Sequence, residues 1–322
     1  MLAAGDASTL IIADGAIGTM LLAAGFAYST HVYPLLNLTH PTAVLEIHRQ
    51  YAAAGATLLT TNTFGTSYHL AHGRIEPSQV RCIAQAATQL AQEAASLTGR
   101  AALIGGSIGP LGKALASIGA HQASAWFATQ AVALQTAGAD VLILETLTSN
   151  QEARLALQAT QSATSLPVWV LFNVNESGTL LDGTPILKAA QQALDLGAAG
   201  IGANCSSGLW AVLKAVQHLA HLNAGYARLI ARPSAGTPQQ DGRYPLTPSD
   251  FAECAPALLK AGANVIGGCC GSTPSHIRAL CASLHAVLAQ SGSTSAHHNP
   301  LQPNKSRDQH SPCHVAQRDA QP

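Results

Sequence analysis

Residues Asn264-Val-Ile-Gly-Gly-Cys-Cys-Gly-Ser-Thr-Pro-Ser-His-Ile-Arg278 read as one unit: an apolar run breaks into a glycine turn and then opens a helix. Thr273-Pro274 marks the opening, an N-cap followed by Pro at the first helical position. The same order recurs along the chain. Short strand-like runs are expected at Leu10–Ala13, Thr57–Thr61, Ala102–Gly106, Val141–Leu144, Val168–Phe172, Gly200–Ala203, Arg228–Ala231 and Asn264–Gly267. Amphipathic or alanine-rich stretches lie between them, at Thr42–Ala54, Pro77–Leu97, Ala123–Ala137, Gln151–Ala163, Ile186–Leu196, Gly208–Leu222 and Pro248–Ala261. Ser149-Asn-Gln-Glu152 and Thr247-Pro-Ser-Asp250 each set a side-chain acceptor before a helix and an acid three residues later, the pattern of a capping box. Eight strand-then-helix units imply parallel strands with right-handed crossovers, and favour a closed (β/α)8 TIM barrel over an open doubly wound sheet. No G-x-G-x-x-G follows the first strand, so a dinucleotide-binding half is not supported. Gly105-Gly-Ser-Ile-Gly109 is a lookalike without the helix that must follow directly.

Length fits one large barrel or two ordinary domains. The 322 residues are enough for a large core. Sixteen basic residues balance sixteen acidic ones and only 10% of the chain is charged, so no basic stripe argues for nucleic acid or anionic lipid. A small neutral or zwitterionic ligand is the better expectation. The seven cysteines, odd in number and irregularly spaced, read as reduced thiols of a cytoplasmic protein rather than a secreted disulfide framework. The first residues lack the basic start and long apolar core of a signal peptide, and no run reaches the roughly 18 apolar residues of a membrane span. From residue 290 the chain turns to Ser, His, Asn, Pro and Gln. The expected organisation is therefore a barrel over residues 1–289 and a disordered polar tail over 290–322. His297-His298 and Cys313-His314 fall in that tail and read as solvated.

In a parallel barrel the functional side chains gather at the carboxyl ends of the strands. That rule selects Asp14-Gly15, Thr61-Asn62-Thr63, Ser107, Glu145, Asn173, Asn204-Cys205, Ser234 and Cys269-Cys270 in strand order. Cys205, Cys269 and Cys270 fall on one rim, on the sixth and eighth strands. Adjacent cysteines bridge each other only with strain. A set of three thiolates with an open fourth position instead suits Zn²⁺ in a catalytic site. The bland alternative, a small core hydrophobe, is the reading for Cys82, Cys254 and Cys281 in expected helices. Asp14 and Glu145 are acids at the ends of apolar strands in a chain that uses little charge. Either they face a ligand's ammonium or they form a structural salt bridge or helix cap. Asn62, Ser107 and Asn173 are strand-end caps or ligand contacts.

These motifs in this order resemble the homocysteine S-methyltransferase family, which includes betaine– and S-methylmethionine–homocysteine methyltransferases and the N-terminal module of cobalamin-dependent methionine synthase. The resemblance covers roughly residues 10–285, through Ala13-Asp-Gly-Ala-Ile-Gly-Thr-Met20, Asn37-Leu-Thr-His-Pro41, Ile47-His48, Ala54-Gly-Ala56 and Thr61-Asn-Thr-Phe64. It continues in Gly106-Ser-Ile-Gly-Pro110, Glu145-Thr146, Leu181-Asp-Gly-Thr184, Gly202-Ala-Asn-Cys205 and Gly267-Gly-Cys-Cys-Gly271. The resemblance implies that Cys205, Cys269 and Cys270 are zinc ligands and that Asp14, Gly15 and Glu145 bind homocysteine. It extends more softly to Thr61, Asn62 and Ser107 as substrate contacts. Pro34, Thr60 and Ser234 depart from common family members, which carry an acid, a Glu and an Asn there.

The chemistry expected is methyl transfer to the thiol of L-homocysteine, forming methionine. A free alkyl thiol with a pKa near 8.5 is only a few per cent thiolate at neutral pH. Coordination to zinc lowers that pKa and holds the sulfur, so no general base is required. The donor stays open among S-methylmethionine, S-adenosylmethionine, betaine and methylfolate or methylcobalamin. One rival reading is a homocysteine-binding subunit of a split cobalamin-dependent methionine synthase, dependent on corrinoid and folate partner proteins. A second is a non-catalytic zinc or thiol sensor.

Overall fold

The computed structural model describes residues 9–99, 101–222 and 227–294. Its strands are β1 (Ile11–Ile12), β2 (Leu58–Thr60), β3 (Leu103–Ile108), β4 (Val141–Leu147), β5 (Val168–Phe172), β6 (Gly200–Cys205), β7 (Arg228–Pro233) and β8 (Val265–Ile266). All pair in parallel, in the order β1-β8-β7-β6-β5-β4-β3-β2. The two ends of that order meet. Ala13 bridges Leu58 in parallel, Thr57 N–H donates to Ile12 O at 2.7 Å, and Asp14 N–H donates to Leu58 O at 3.0 Å. The sheet thus closes into the expected (β/α)8 barrel.

Period-two alternation divides the apolar side chains into two cores. Ile11, Leu58, Val141, Ile143, Trp169 and Leu171 belong to one buried cluster, the barrel interior. Ile12, Leu59, Leu142, Val170, Ile201 and Leu229, one residue out of phase, pack with the helices in the other. Trp169 fills the interior because its neighbour on β6 has no side chain. A Cβ at Gly200 would lie 2.7 Å from Trp169 Cδ1 and 2.8 Å from Ile230 Cδ1.

The expected helices form with bounds shifted by less than a turn: Pro41–Ala53, Pro77–Leu97, Ala120–Ala137, Asn150–Ala163, Ile186–Asp195, Leu209–Ala220 and Pro248–Lys260. Thr247 and Asp250 form the anticipated capping box. Ser149 caps its helix by accepting the Glu152 N–H, but the Glu152 carboxylate does not reciprocate. It accepts the Leu111 N–H at 2.7 Å instead, tying down the loop after β3. Short helices at Gly18–Ala23, Leu36–Thr39, Thr66–Ala71 and Leu115–Ile118 carry no periodic signal long enough to expect. The first three belong to the segments after β1 and β2, which also supply much of the pocket wall.

The last helix, Pro274–Thr294, carries regular structure past the expected boundary at residue 289. The remainder of the tail, with His297-His298 and Cys313-His314, lies outside the described residues. No helix among the described residues is long and apolar enough to cross a membrane.

One core residue makes the fold sensitive to acid. His48 is fully buried on helix Pro41–Ala53 and neither ring nitrogen has a hydrogen-bond partner. Burial pushes its pKa down from 6.5 to about 4. Between those values the unfolded chain binds a proton that the folded chain refuses, so this group's contribution to stability is lost as pH falls. Urea unfolding at pH 7 and pH 4 should show the wild type losing about 3 kcal/mol more than His48→Leu over that interval. Parallel losses in the two proteins would mean that His48 is protonated in the native state.

Candidate active site

The carboxyl ends of the strands surround a cavity of about 600 Å³. Cys205, Cys269 and Cys270 line it together with Glu145, Arg232, Ser107, Thr60, Thr61 and Asn62. Tyr28, Tyr33, Phe64 and Tyr68 add an aromatic part of the wall, beside Pro34, His31, His69 and Arg74. Tyr28 stacks on Tyr33 at a ring-centroid distance of 4.4 Å, and Tyr68 on His72 at 4.1 Å.

The three sulfurs converge from two strands. Cys205 Sγ is 3.0 Å from Cys269 Sγ and 3.4 Å from Cys270 Sγ, and all three lie within 4.8 Å of one another. Tetrahedral thiolates at 2.3 Å from a zinc ion would be about 3.8 Å apart, so a small spreading of the cluster accommodates one. Backbone geometry aims them inward. Cys205 and Ser206 turn β6 off its path with φ of 54° and 58°, a left-handed conformation uncommon in residues other than glycine. After β8, Cys269 N–H donates to Pro233 O at 2.8 Å and Ala235 N–H donates to Cys270 O at 2.8 Å, pinning the cysteine pair to the end of β7. Gly271 then takes φ 77°, with the Tyr244 ring lying where its Cβ would be.

The three thiols are hydrogen-bonded to one another. Hydrogen bonds from Cys205 and Cys269 hold the Cys270 thiol down, at about 3, with a further one from Tyr244. Cys205, hydrogen-bonded to Cys269 and Cys270, is pushed well above its ordinary value. Asn204, fully buried, donates from Nδ2 to Cys269 Sγ at 3.6 Å and to Thr146 Oγ1 at 2.8 Å, while its Oδ1 accepts the Thr146 N–H at 2.8 Å. It links the cysteine cluster to the residue after Glu145. Thr146 has φ 61° there.

The acids are placed differently from one another. Asp14 is fully buried and does not line the cavity. Its Oδ1 accepts from Arg232 Nη2 at 2.7 Å and Thr60 Oγ1 at 2.7 Å, and its Oδ2 accepts the Thr60 N–H at 2.7 Å. Of the two sequence readings for Asp14, the salt bridge is therefore present. Burial still raises its pKa to about 6, against the opposing pull of Arg232 and Thr60. Glu145 does face the cavity. Its Oε1 accepts a short hydrogen bond from Ser107 Oγ, its Oε2 is 3.7 Å from Arg232 Nη1, and burial raises its pKa.

Other expected site residues divide between wall and scaffold. Gly15 lies in the wall, and a Cβ there would meet Ser272 Oγ at 2.6 Å and Tyr51 Oη at 2.7 Å, so only glycine fits. Thr61 Oγ1 pairs with Thr63 Oγ1 at 2.7 Å and accepts the Ser107 N–H at 3.1 Å. Asn62 donates to Tyr33 O at 2.8 Å and is itself held by Asn37, which donates to Asn62 O at 2.8 Å. Its amide is used to fasten the aromatic segment to the rim. Ser234 donates to Cys205 O at 3.3 Å, bracing the cysteine cluster. Arg232, Tyr244 and the aromatic wall were not anticipated. Arg232 carried a readable signal, a lone charge in the apolar run Leu229-Ile-Ala-Arg-Pro233.

The likeness to known proteins follows the same residues. The family model described as "Homocysteine S-methyltransferase" matches residues 11–284. Methionine synthase of Mycobacterium leprae is 31% identical over 299 residues, covering 86% of this chain and 24% of that protein. Methionine synthase of Mycobacterium tuberculosis is 31% identical over 296 residues, covering 85% and 24%. The chain thus spans about a quarter of the length of these relatives. The metallated form of the homocysteine methyltransferase MmuM of Escherichia coli superposes with a TM-score of 0.71 at 26% identity, covering 85% of this chain and 96% of that one. A match over nearly all of the barrel, with the three cysteines together on one rim, places the chain in the homocysteine S-methyltransferase family.

Proposed function

We propose that the protein is a zinc-dependent methyltransferase that methylates the thiol of L-homocysteine to give methionine. The observation that carries this reading is the convergence of Cys205, Cys269 and Cys270 in the wall of a cavity that Glu145 also lines. The three thiolates would hold Zn²⁺, which when bound lowers the pKa of a substrate thiol and fixes its sulfur. Glu145, steadied by Ser107, takes the substrate's ammonium. Asp14 acts from behind the wall by fixing Arg232. Gly15, Thr61 and Asn62 shape the space beside it.

The thiol gives up its proton to solvent on binding, and the sulfur attacks the donor's methyl carbon in line. A sulfur–methyl bond forms while the bond from the methyl to the donor breaks, and its electron pair leaves with the donor. Alignment of sulfur and methyl in a walled cavity supplies much of the acceleration. The aromatic segments after β1 and β2, with Tyr28, Phe64 and Tyr68, border the donor's route to the cysteines. The six cysteines among the described residues are all free, which suits a reducing cytoplasm.

The coverage of the methionine synthases favours a second reading, since a chain matching 24% of such a protein could be one module of a larger system. That module would bind homocysteine and receive its methyl from corrinoid or folate partner proteins. A donor panel on the zinc-loaded protein separates the two. The first reading predicts methionine from L-homocysteine with S-methylmethionine, S-adenosylmethionine or betaine alone. Turnover only with methylcobalamin or a corrinoid protein supports the module. Absence of methionine with every donor would overturn the methyltransferase assignment.

A further inference from the structure

We propose that Arg232 is a specificity-determining residue, whose guanidinium takes the α-carboxylate of the thiol substrate while Glu145 beside it takes the α-ammonium. The inference rests on the reading of the site as a homocysteine pocket and adds the group that reads the substrate's charge pattern. Arg232 ends an apolar strand, is 4% exposed and forms part of the cavity wall. A guanidinium is rarely buried without a partner. Here it donates from Nε to Gly268 O at 3.2 Å, from Nη1 to Thr60 Oγ1 at 3.1 Å and from Nη2 to Asp14 Oδ1 at 2.7 Å. These three bonds lock its plane and leave two of its five N–H groups for other acceptors.

Glu145 Oε2 is 3.7 Å from Arg232 Nη1, an ion pair by charge but beyond hydrogen-bonding range, so the two side chains stand together in the wall with hydrogen-bonding capacity left on each. An α-amino acid carries its ammonium nitrogen and carboxylate oxygens roughly 3 Å apart. Such a zwitterion can answer both charges at once. Asp14 completes the arrangement by neutralising Arg232 from behind and keeping it from collapsing onto Glu145. Without Arg232, this end of the pocket would present the Glu145 carboxylate with Asp14 uncompensated behind it, and favour a cationic aminothiol. Thr60 belongs to the same device, because its hydroxyl and N–H hold Asp14 and its oxygen accepts from Arg232. A Glu at that position would keep the backbone N–H bond but replace the two hydroxyl bonds with a third acid.

The test is thiol binding to the cobalt-loaded protein, read from the thiolate-to-cobalt absorbance, with L-homocysteine, 3-mercaptopropylamine (no carboxylate) and 4-mercaptobutanoate (no ammonium). In the wild type, 3-mercaptopropylamine should bind at least about 30-fold more weakly than L-homocysteine, as expected for removal of one partner of a buried charge pair. In Arg232→Met that gap should fall below about 3-fold, and 4-mercaptobutanoate should lose affinity relative to wild type. Because Arg232→Met leaves Asp14 buried without its cation, the same titration is run on Asp14→Asn/Arg232→Met, which leaves Asp14 no charge to strand. A gap as wide as the wild type's in either variant overturns the assignment of Arg232 alone. If no thiol perturbs the cobalt in the wild type, the homocysteine reading of the site fails with it.

Discussion

Replacing Cys270 by alanine should abolish both metal retention and methionine formation while leaving the barrel folded. Structural zinc sites bind with about 10–16 kcal/mol across four ligands, so each thiolate accounts for roughly 3–4 kcal/mol. Losing one of three should weaken zinc by about 10²–10³-fold, enough to strip the ion during dialysis against a weak chelator. Turnover should fall by at least the same factor, because the substrate thiol then loses the means of becoming a thiolate at neutral pH. The backbone has reason to tolerate the change. Cys270 lies beyond β8, its carbonyl still accepts the Ala235 N–H, and alanine has the same backbone preferences outside the left-handed region. Metal content and circular dichroism read the two effects separately. A Cys270→Ala protein that keeps one zinc per chain and full turnover would show that the cluster is not the reaction centre.

Replacing Glu145 by glutamine should separate substrate recognition from metal binding. The amide keeps the size of the side chain and can still accept from Ser107, but it carries no charge for the substrate's ammonium. An ammonium–carboxylate pair in a closed pocket is worth about 2–4 kcal/mol when one partner is neutralised. The kcat/KM for L-homocysteine should therefore drop about 30- to 1000-fold with zinc stoichiometry unchanged. Most of the loss should appear in KM, because the ammonium is held equally in the ground and transition states. Unchanged KM together with a large loss in kcat would place Glu145 in the chemical step instead.

The parts of this site that were legible in the sequence are those that the barrel's symmetry makes inevitable. A parallel barrel puts every strand's carboxyl end on one rim, so Cys205 and Cys269-Cys270 could be brought together without any knowledge of distances. Strands β3, β4, β6 and β7 run past their apolar runs, through Ile108, Leu147, Cys205 and Pro233, while β1, β2 and β8 are shorter than expected; in β4 the register shifts between Leu144 and Leu147, so Glu145 stands at an irregularity of the ladder. What stayed hidden depends on side-chain direction. Asp14 and Glu145 carry the same signal, an acid at the end of an apolar strand, yet one turns behind the wall and the other into the cavity. The same signal was present at Arg232, and the cost of a charge in an apolar strand applies to bases as it does to acids. Asn62, readable either as a strand-end cap or as a ligand contact, lines the cavity while its amide donates to Tyr33 O. The aromatic wall came from irregular segments that show no period of two or of 3.6, so nothing in the pattern could place it.

X-ray absorption at the zinc edge, with and without L-homocysteine, addresses the central claim most directly. The account predicts three sulfurs at about 2.3 Å and one lighter atom in the free protein, and four sulfurs after homocysteine is added. It predicts no fourth sulfur in Cys270→Ala under the same conditions. A sulfur count of three that does not change when saturating homocysteine is present would contradict it.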